Sequence, residues 1–529
     1  MRDLQLPGRS PVYATEALAA TSHPLATSAA IDCLKRGGNA VDAAVTAAFV
    51  LAVTEPAMTG IGGDCFAIVA TPDGQLHGLN GSGRAAKAAS TEWYLERGIT
   101  GIAPASAHAV TVPGAIAGFD RLLSRFGTRG FAEVVQPAIH YAETGHAVAP
   151  RVASDWAGAA RLLALDAGAA KHFLVGGTAP AVGDVVRYPA LARTLKLIGQ
   201  KGASGFYQGE VAEDMVATLR AKGSLLTLDD FAAAQADDLE PVSAGYRDWQ
   251  LAELPPNGQG IIALIITNIL KQFDIARLDP NGPERLHLEI EAARLAYACR
   301  DVHLADPAAM RVPVGTLVSD AFAAGLAARI DPAQRLADVT PGAVPNSDTV
   351  YLTVVDRDRL AVSLIFSIFH TFGSGIATEN TGVLLQNRGA CFVVERGHPN
   401  TIEGAKRPMH TIIPAFGLKD GRPTLAFGVM GGAYQAAGHA HVFSNLVDFG
   451  MDVQEAIDAP RLFWAADNAT LTAERGLPEA TVAGLAARGH SVVEAPGPIG
   501  GSQAIQIDWQ RGVLIGGSDP RKDGAAMGY

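Results

Sequence analysis

The sequence predicts a mixed α/β protein, built either from several domains or as one large multilayered fold. At 529 residues the chain is far longer than one simple core needs. Glycine is plentiful (58 residues) and aromatics are scarce at 6%, which suits close helix–sheet packing. Helical spacing dominates the first part of the chain, and the texture turns β-rich after about residue 330. With 48% hydrophobic and 18% charged residues, there is ample material for a globular core.

Taken in order, residues 29–53 repeat apolar side chains at helical spacing, with a stop and restart at Gly37-Gly38-Asn39. A glycine-rich turn, Thr59 to Asp64, feeds the strand-like Cys65-Phe66-Ala67-Ile68-Val69, which ends in a turn at Pro72-Asp73-Gly74. Residues 107–270 alternate helical stretches with Pro/Gly punctuation, and Glu284 to Arg300 reads as one amphipathic helix. Residues 337–347 (ADVTPGAVPNS) hold little that would pack, so an exposed linker is expected. Directly after it, Thr349 to Asp356 and Leu360 to Ile365 are two β-rich runs around the polar turn Arg357-Asp358-Arg359, a hairpin.

The net charge of −11 and the lack of any dense Lys/Arg run argue against nucleic acid, whose phosphates need a basic stripe. Cys33, Cys65, Cys299 and Cys391 show no metal-ligand spacing and read as reduced thiols. The amino terminus lacks a basic-then-apolar secretory pattern. The apolar stretch from Ala40 to Val53 carries Asp42 and is too short to span a bilayer. A soluble cytoplasmic protein is expected.

The linker-to-strand junction at Asp348–Thr349 carries chemistry. A threonine hydroxyl needs a base, and its own α-amine can serve if the residue heads a chain. That amine has a pKa near ~8, close enough to neutrality to accept a proton. On local sequence alone, however, a threonine opening a strand is more often a plain β-former.

A series of motifs strengthens the catalytic reading. In order they are Gly37 to Ala44, Leu51 to Pro56, Gly60 to Phe66, Val112 to Phe119, Val134 to Ala138 and Leu254-Pro255-Pro256. They continue with Thr349 to Asp356, Phe372-Gly373-Ser374-Gly375, Lys406-Arg407-Pro408, Gly431-Gly432 and Ser518 to Arg521. In this order they resemble the γ-glutamyltransferase family of N-terminal-nucleophile hydrolases, from about Pro11 to Tyr529. The resemblance implies a four-layer αββα sandwich shared by an α piece, residues 1–348, and a β piece, 349–529, after cleavage before Thr349. It also implies that Thr349 is the nucleophile and that Ser367 tunes it by a hydrogen bond. Gly431 and Gly432 would supply the oxyanion-binding amides, a role that suits residues without side chains.

The departures from the family point to an unusual substrate. Val350 stands where transferases have a second threonine. Cys391 replaces the aspartate that grips the glutamyl α-amine, and Phe369 replaces an asparagine with the same task. His410 and Thr411 fall on two carboxylate-gripping serines. Losing the charge partner of a buried ammonium costs roughly 3–5 kcal/mol, or roughly two to three decades of affinity. An acyl group without an α-amine is therefore expected. Arg84 falls near the family's carboxylate-binding arginine, and Arg388, beside Asn387, is a second candidate with a suitable planar fork. Either arginine is equally readable as an ordinary ion-pair residue. The segment 393–405 is shorter than the family's lid loop. A branch with Gln-Asn-Arg-Gly-Ala and His-Thr after Lys-Arg-Pro frees ammonia from oxamate in purine-nitrogen catabolism, which makes oxamate the named candidate. A γ-glutamyl hydrolase or transferase, and an uncleaved non-enzymatic relative, remain alternatives.

Other constellations carry less. His439 and His441 lie two apart, on different faces of a helix, so no metal is expected. His370 and His410 are either pocket residues or satisfied structural ones. The Gly60–Asp64 loop lacks the Lys-Ser/Thr of a phosphate loop, so it reads as a strand-entry turn. The chemistry needs no cofactor. Expected partners are a small amide and the two fragments themselves; a homo-oligomer of the αβ unit is compatible with the sequence, which is silent on it.

Overall fold

The protein is described by a computed structural model covering residues 5, 8–339, 349–465, 467 and 469–529. Asp348, and the expected linker from residue 340 onward, lie outside the described residues. Two seven-stranded sheets form the centre, with every neighbouring pair antiparallel. One runs Val12–Ala14, Val513–Ser518, Gly501–Asp508, Arg422–Met430, Ala415–Lys419, Trp249–Glu253, Val242–Tyr246. The other runs Ala525–Gly528, Leu18–Thr21, Val350–Val355, Ala361–Ser367, Asp64–Ala70, Leu76–Gly81, Asp237–Leu239. Each sheet thus draws strands from both sides of Thr349.

The sheets face each other across a core of Phe66, Tyr351 and Ile365 on one side and Phe416, Met430 and Ile505 on the other. Helices cover both outer faces. Pro24–Lys35 and Ala40–Thr54 lie on the sheet that holds Val350–Val355, with Gln136–Thr144 packed on Ala40–Thr54, and Gly260–Leu270 and Gln435–Val447 lie on its partner, with Pro283–His303 packed on Gly260–Leu270. This is the αββα sandwich. It explains why the central strands Val350–Val355, Ala361–Ser367 and Asp64–Ala70 are buried at every position. Side chains alternate between faces, so in Val350–Val355 the residues Tyr351 and Val355 enter the inter-sheet core while Val350, Leu352 and Val354 meet the helices. Both faces are buried.

The break expected at Gly37-Gly38-Asn39 is a capped restart. Asn39 Oδ1 accepts the N–H groups of Val41 and Asp42, both at 3.0 Å, and Asp42 Oδ2 accepts the N–H of Asn39 at 2.9 Å, a reciprocal cap. All residues of Ala40–Thr54 are buried, so the apolar stretch is a core helix. No helix among the described residues is long and apolar enough to cross a membrane. The N–H of Ala40 donates to Asp356 Oδ2 at 2.9 Å, tying the helix start to the turn of the Val350–Ser367 hairpin.

One element differs in character from expectation. The helix Pro283–His303 has no simple wet face: Arg285, His287, Glu291, Arg294 and Arg300 are all buried. It packs against Gly260–Leu270 and Glu479–Ala487, and its charges pair internally, Arg285 with Glu289 and Arg294 with Glu291, each at 2.7 Å. The polar face expected of an amphipathic helix is thus neutralised within the fold. All four cysteines are unpaired.

Asp42 is fully buried, and besides the cap it accepts the N–H groups of Thr128 (3.0 Å) and Arg129 (3.1 Å) and the Thr128 hydroxyl (2.6 Å). Asp42→Ala leaves these donors unsatisfied in the interior and is expected to cost about 3 kcal/mol. Urea unfolding of the variant, read as a lower midpoint at unchanged slope, checks this.

Candidate active site

Strand register builds the centre of the site. Val350 pairs with Phe366 in the hairpin, so Thr349 and Ser367, the next residues outward, come side by side. Thr349 is fully buried, and its Oγ1 donates to Ser367 Oγ at 3.3 Å. Ser367 Oγ also accepts the N–H of Phe369 at 2.9 Å. From the opposite layer, Gln435 Nε2 donates to Thr349 Oγ1 at 3.3 Å, while Gln435 Oε1 accepts the N–H of Ile413 at 3.1 Å. The Gly60–Asp64 loop runs behind this point. A Cβ on Gly63 would sit 2.3 Å from the Ser367 carbonyl oxygen, so only glycine fits there.

The strand Arg422–Met430 ends where Gly431 and Gly432 take positive φ values of 122° and 56°. The turn Gly432–Tyr434 follows and leads into the helix that Gln435 opens. The Gly431 carbonyl accepts the N–H of Tyr434 at 3.1 Å. In a planar trans peptide the N–H points opposite to the carbonyl, so the N–H of Gly432 is turned away from the helix. Gln259 Nε2 bridges the carbonyls of Gly432 (3.1 Å) and Thr411 (2.8 Å), joining this turn to the next group of residues.

That group centres on two buried side chains of contrasting charge. Asp64 Oδ1 accepts the N–H groups of Gly83 (2.9 Å) and Gly114 (3.1 Å) and Gln386 Nε2 (2.9 Å), and Asp64 Oδ2 accepts His410 Nε2 at 3.1 Å. Burial, helped by the nearby Arg388 charge, lowers the His410 pKa to about 3. Its Nδ1 accepts the N–H of Ile412 at 3.3 Å, so the ring is neutral with its proton on Nε2. Arg388 is fully buried. Its Nη1 donates to Thr411 Oγ1 at 2.8 Å, and its guanidinium stacks 4.0 Å from the centre of the Phe369 ring. Among the described residues, no carboxylate pairs with Arg388 and its Nε and Nη2 face no nitrogen or oxygen partner, the weakly accepting Cys391 thiol being the polar group that approaches the guanidinium. Burial pushes its pKa down, opposed by the charge of Asp64 and by the neighbouring Cys391. Burial likewise raises the Cys391 thiol against the pull of Arg388.

Phe369 holds a left-handed backbone, φ 81°, uncommon for a bulky residue and a mark of a functional constraint. Its ring also borders a cleft of about 320 Å³ shared with Leu304, His370, Cys391, Phe392 and Met409. Burial, followed by the Arg388 charge, lowers the His370 pKa to about 4, so this ring too is neutral near pH 7.

The other expected residues sort clearly. Asn387 is engaged by backbone: its Oδ1 accepts the N–H of His370 at 3.1 Å and its Nδ2 donates to the Pro104 carbonyl at 3.2 Å, which shapes the loop carrying Arg388. Arg84 is about one-third exposed and paired with Asp237 (3.3 Å) and Asp306 (3.8 Å), beside a separate small cleft. His439 and His441 face different partners, Glu253 at 2.7 Å and Glu289 at 2.9 Å. Asp64, Gln259 and Gln435 escaped the sequence reading as site residues. Asp64 could have been flagged as an acid closing a glycine loop at a strand entry, and Gln435 by its nearness to Gly431-Gly432. Gln259 carries no sequence signal.

Comparison with known proteins places the whole chain in one family. The family model described as gamma-glutamyltranspeptidase matches residues 26–529. The glutathione hydrolase-like YwrD proenzyme of Bacillus subtilis is 36% identical over 98% of this chain and 99% of its own. The oxamate amidohydrolase proenzyme of Klebsiella pneumoniae is 35% identical over 97% of this chain and 99% of its own. A crystal structure of cephalosporin acylase from Bacillus halodurans superposes with a TM-score of 0.94 at 38% identity, covering 100% of this chain and 99% of that one. Matched from end to end by hydrolases and an acylase, the chain belongs to the gamma-glutamyltranspeptidase family as an amide-cleaving hydrolase.

Proposed function

We propose that the chain cuts itself between Asp348 and Thr349 and then hydrolyses a small amide whose acyl group carries a carboxylate. The observation that carries the substrate class is Arg388, a fully buried guanidinium with no carboxylate partner among the described residues, whose Nε and Nη2 face no nitrogen or oxygen acceptor and have only the weakly accepting Cys391 thiol nearby. That edge is the one that receives a carboxylate through two parallel hydrogen bonds. A buried unpaired cation is costly, and an anionic substrate relieves the cost. Arg84, already paired with Asp237, is the weaker candidate. His410 and Thr411 orient the pocket, the latter through its bond to Arg388.

The family's pattern, in which relatives named proenzymes share the whole chain length, supports fragments 1–348 and 349–529. Because the sheets interleave strands from both, the fragments stay in one fold. In the acylation step the freed α-amine of Thr349 takes the hydroxyl proton and Oγ bonds to the amide carbon. The carbonyl electrons move to oxygen, facing the Gly431 and Gly432 amides. Collapse breaks the C–N bond, and the amine leaves with the proton held by the α-ammonium. Water then attacks the ester, delivers a proton back to Oγ through the same amine, and releases the acid. For oxamate, the candidate favoured by the Gln386-Asn387-Arg388-Gly389-Ala390 stretch, the products are ammonia and oxalate.

A second reading concerns acyl size. The cleft of about 320 Å³ beside Phe369 and Cys391 falls within the range that holds drug-sized ligands; Thr349 and Arg388 do not line it, and it would take the far part of an acyl group longer than a two-carbon acid. It favours a longer carboxylated acyl chain, in keeping with the likeness to cephalosporin acylase. Turnover of glutaryl-p-nitroanilide in preference to oxamate would select it.

Purified protein is expected to run as two bands, the smaller beginning Thr-Val-Tyr-Leu. Thr349→Ala should abolish cutting and turnover, and Thr349→Ser should keep part of both. An uncut, fully active chain overturns the nucleophile assignment, and an uncut, inactive one selects the non-enzymatic alternative.

Arg388→Ala should raise KM for oxamate or the glutaryl amide by roughly two to three decades, while Arg84→Ala changes it little. γ-Glutamyl-p-nitroanilide, with or without glycylglycine as acceptor, should be a poor substrate. Efficient acceptor-stimulated transfer would select the glutamyl alternative.

The pH dependence follows from the neutral histidines. With His370 at about 4 and His410 at about 3, neither contributes a limb near the usual histidine value. kcat/KM measured from pH 5 to 9 should rise through one ionisation, that of the Thr349 α-amine near ~8.

A further inference from the structure

We propose that Gln435 is a catalytic residue that acts on the oxygen of the nucleophile itself, a proposal that rests on Thr349 being that nucleophile. Gln435 is fully buried at the first position of the helix Gln435–Val447. Its amide cannot turn over. Oε1 accepts the N–H of Ile413 at 3.1 Å, and a flipped amide would set two N–H donors against each other there. Nε2 is thereby aimed at Thr349 Oγ1, 3.3 Å away. On its other side the same oxygen donates to Ser367 Oγ, also at 3.3 Å. The nucleophile thus lies between one acceptor and one neutral donor, with its hydroxyl torsion set before any substrate arrives.

A donor at this oxygen does different work in the two half-reactions. During acylation, negative charge builds on Oγ as its proton moves to the α-amine, and the Gln435 N–H stabilises that charge until the O–C bond forms. During hydrolysis of the acyl-enzyme, the C–Oγ bond breaks and its electron pair returns to Oγ. The same N–H then holds the leaving oxygen until the proton taken from the attacking water reaches it through the amine. A neutral amide suits both steps, because it cannot carry off the proton and does not compete with the α-amine as a base. Self-cleavage uses the same oxygen and should depend on the same donor.

Gln435→Met keeps the side chain's length and removes the donor. Expected are a fall in kcat of about tenfold to a hundredfold, KM within threefold of wild type, and self-cutting slowed by a comparable factor. Gln435→Glu supplies a donor only while its carboxyl is protonated. Its kcat relative to wild type should therefore fall as pH is raised from 6 to 9, which a merely structural role would not produce. Should Gln435→Met fail to fold, this pH trend carries the comparison. Wild-type kcat and cutting in Gln435→Met, or a ratio for Gln435→Glu that is flat with pH, overturns the proposal. Thr349→Ala, run alongside, separates the two assignments. If it is inactive while Gln435→Met is normal, only Gln435 falls, and if it is active, the nucleophile assignment falls.

Discussion

Four donors from distant parts of the chain converge on the Asp64 carboxylate: the amides of Gly83 and Gly114, the Gln386 side chain and the His410 ring. Inside a protein an unpaired carboxylate costs several kcal/mol, and a fully bonded one locks its partners in place. Asp64 begins the strand that pairs with Ala361–Ser367, so the lock extends directly to Ser367 and then to Thr349. Gln386 fixes the stretch before Arg388, and His410 fixes the stretch that carries Thr411. Without this carboxylate the three parts of the site would have no common reference.

The electrostatics around Arg388 follow from what surrounds it. The guanidinium is held by one hydroxyl and one aromatic face, neither of which neutralises it. Burial, helped by the Arg388 charge, keeps both neighbouring imidazoles neutral. A neutral His410 can only donate to Asp64 from one nitrogen, and this fixes its tautomer. Burial, with this cation's help, therefore sets the protonation of the site, and the proposed preference for anions rests on the same guanidinium.

Elsewhere, charge is buried in order to be consumed. Arg461 and Asp519 pair at 2.7 Å with both side chains fully buried, and Arg521 reaches the same Asp519 and Glu474. These pairs tie the terminal Ser518-Asp519-Pro520-Arg521 motif to the segment around Ile457, where Arg461 and Arg521 both donate to the Ile457 carbonyl. Breaking one such pair strands a charge. Arg388 is the contrast case, since among the described residues no carboxylate pairs with it and two of its nitrogens, Nε and Nη2, face no nitrogen or oxygen partner.

The sequence by itself determined the local units and their order. The glycine break before Asn39, the turn Arg357–Arg359 and the β-branched runs beside it signal their conformations through residues a few positions apart. A hairpin's register then brings Thr349 to Ser367 with no long-range information. What only the tertiary structure decided are the meetings between layers. Nothing near Gln435 announces that it will touch Thr349, Gln259 carries no mark of the bridge it makes, and the segment Glu284 to Arg300 reads as amphipathic although its arginines are buried. Likewise Arg84 and Arg388 read alike as arginines in glycine-bearing loops, and their difference lies in partners distant in sequence: Asp237 for one, no carboxylate among the described residues for the other. Spacing along a chain reports short-range geometry, whereas the charge state and free valence of a buried group depend on everything that folds against it.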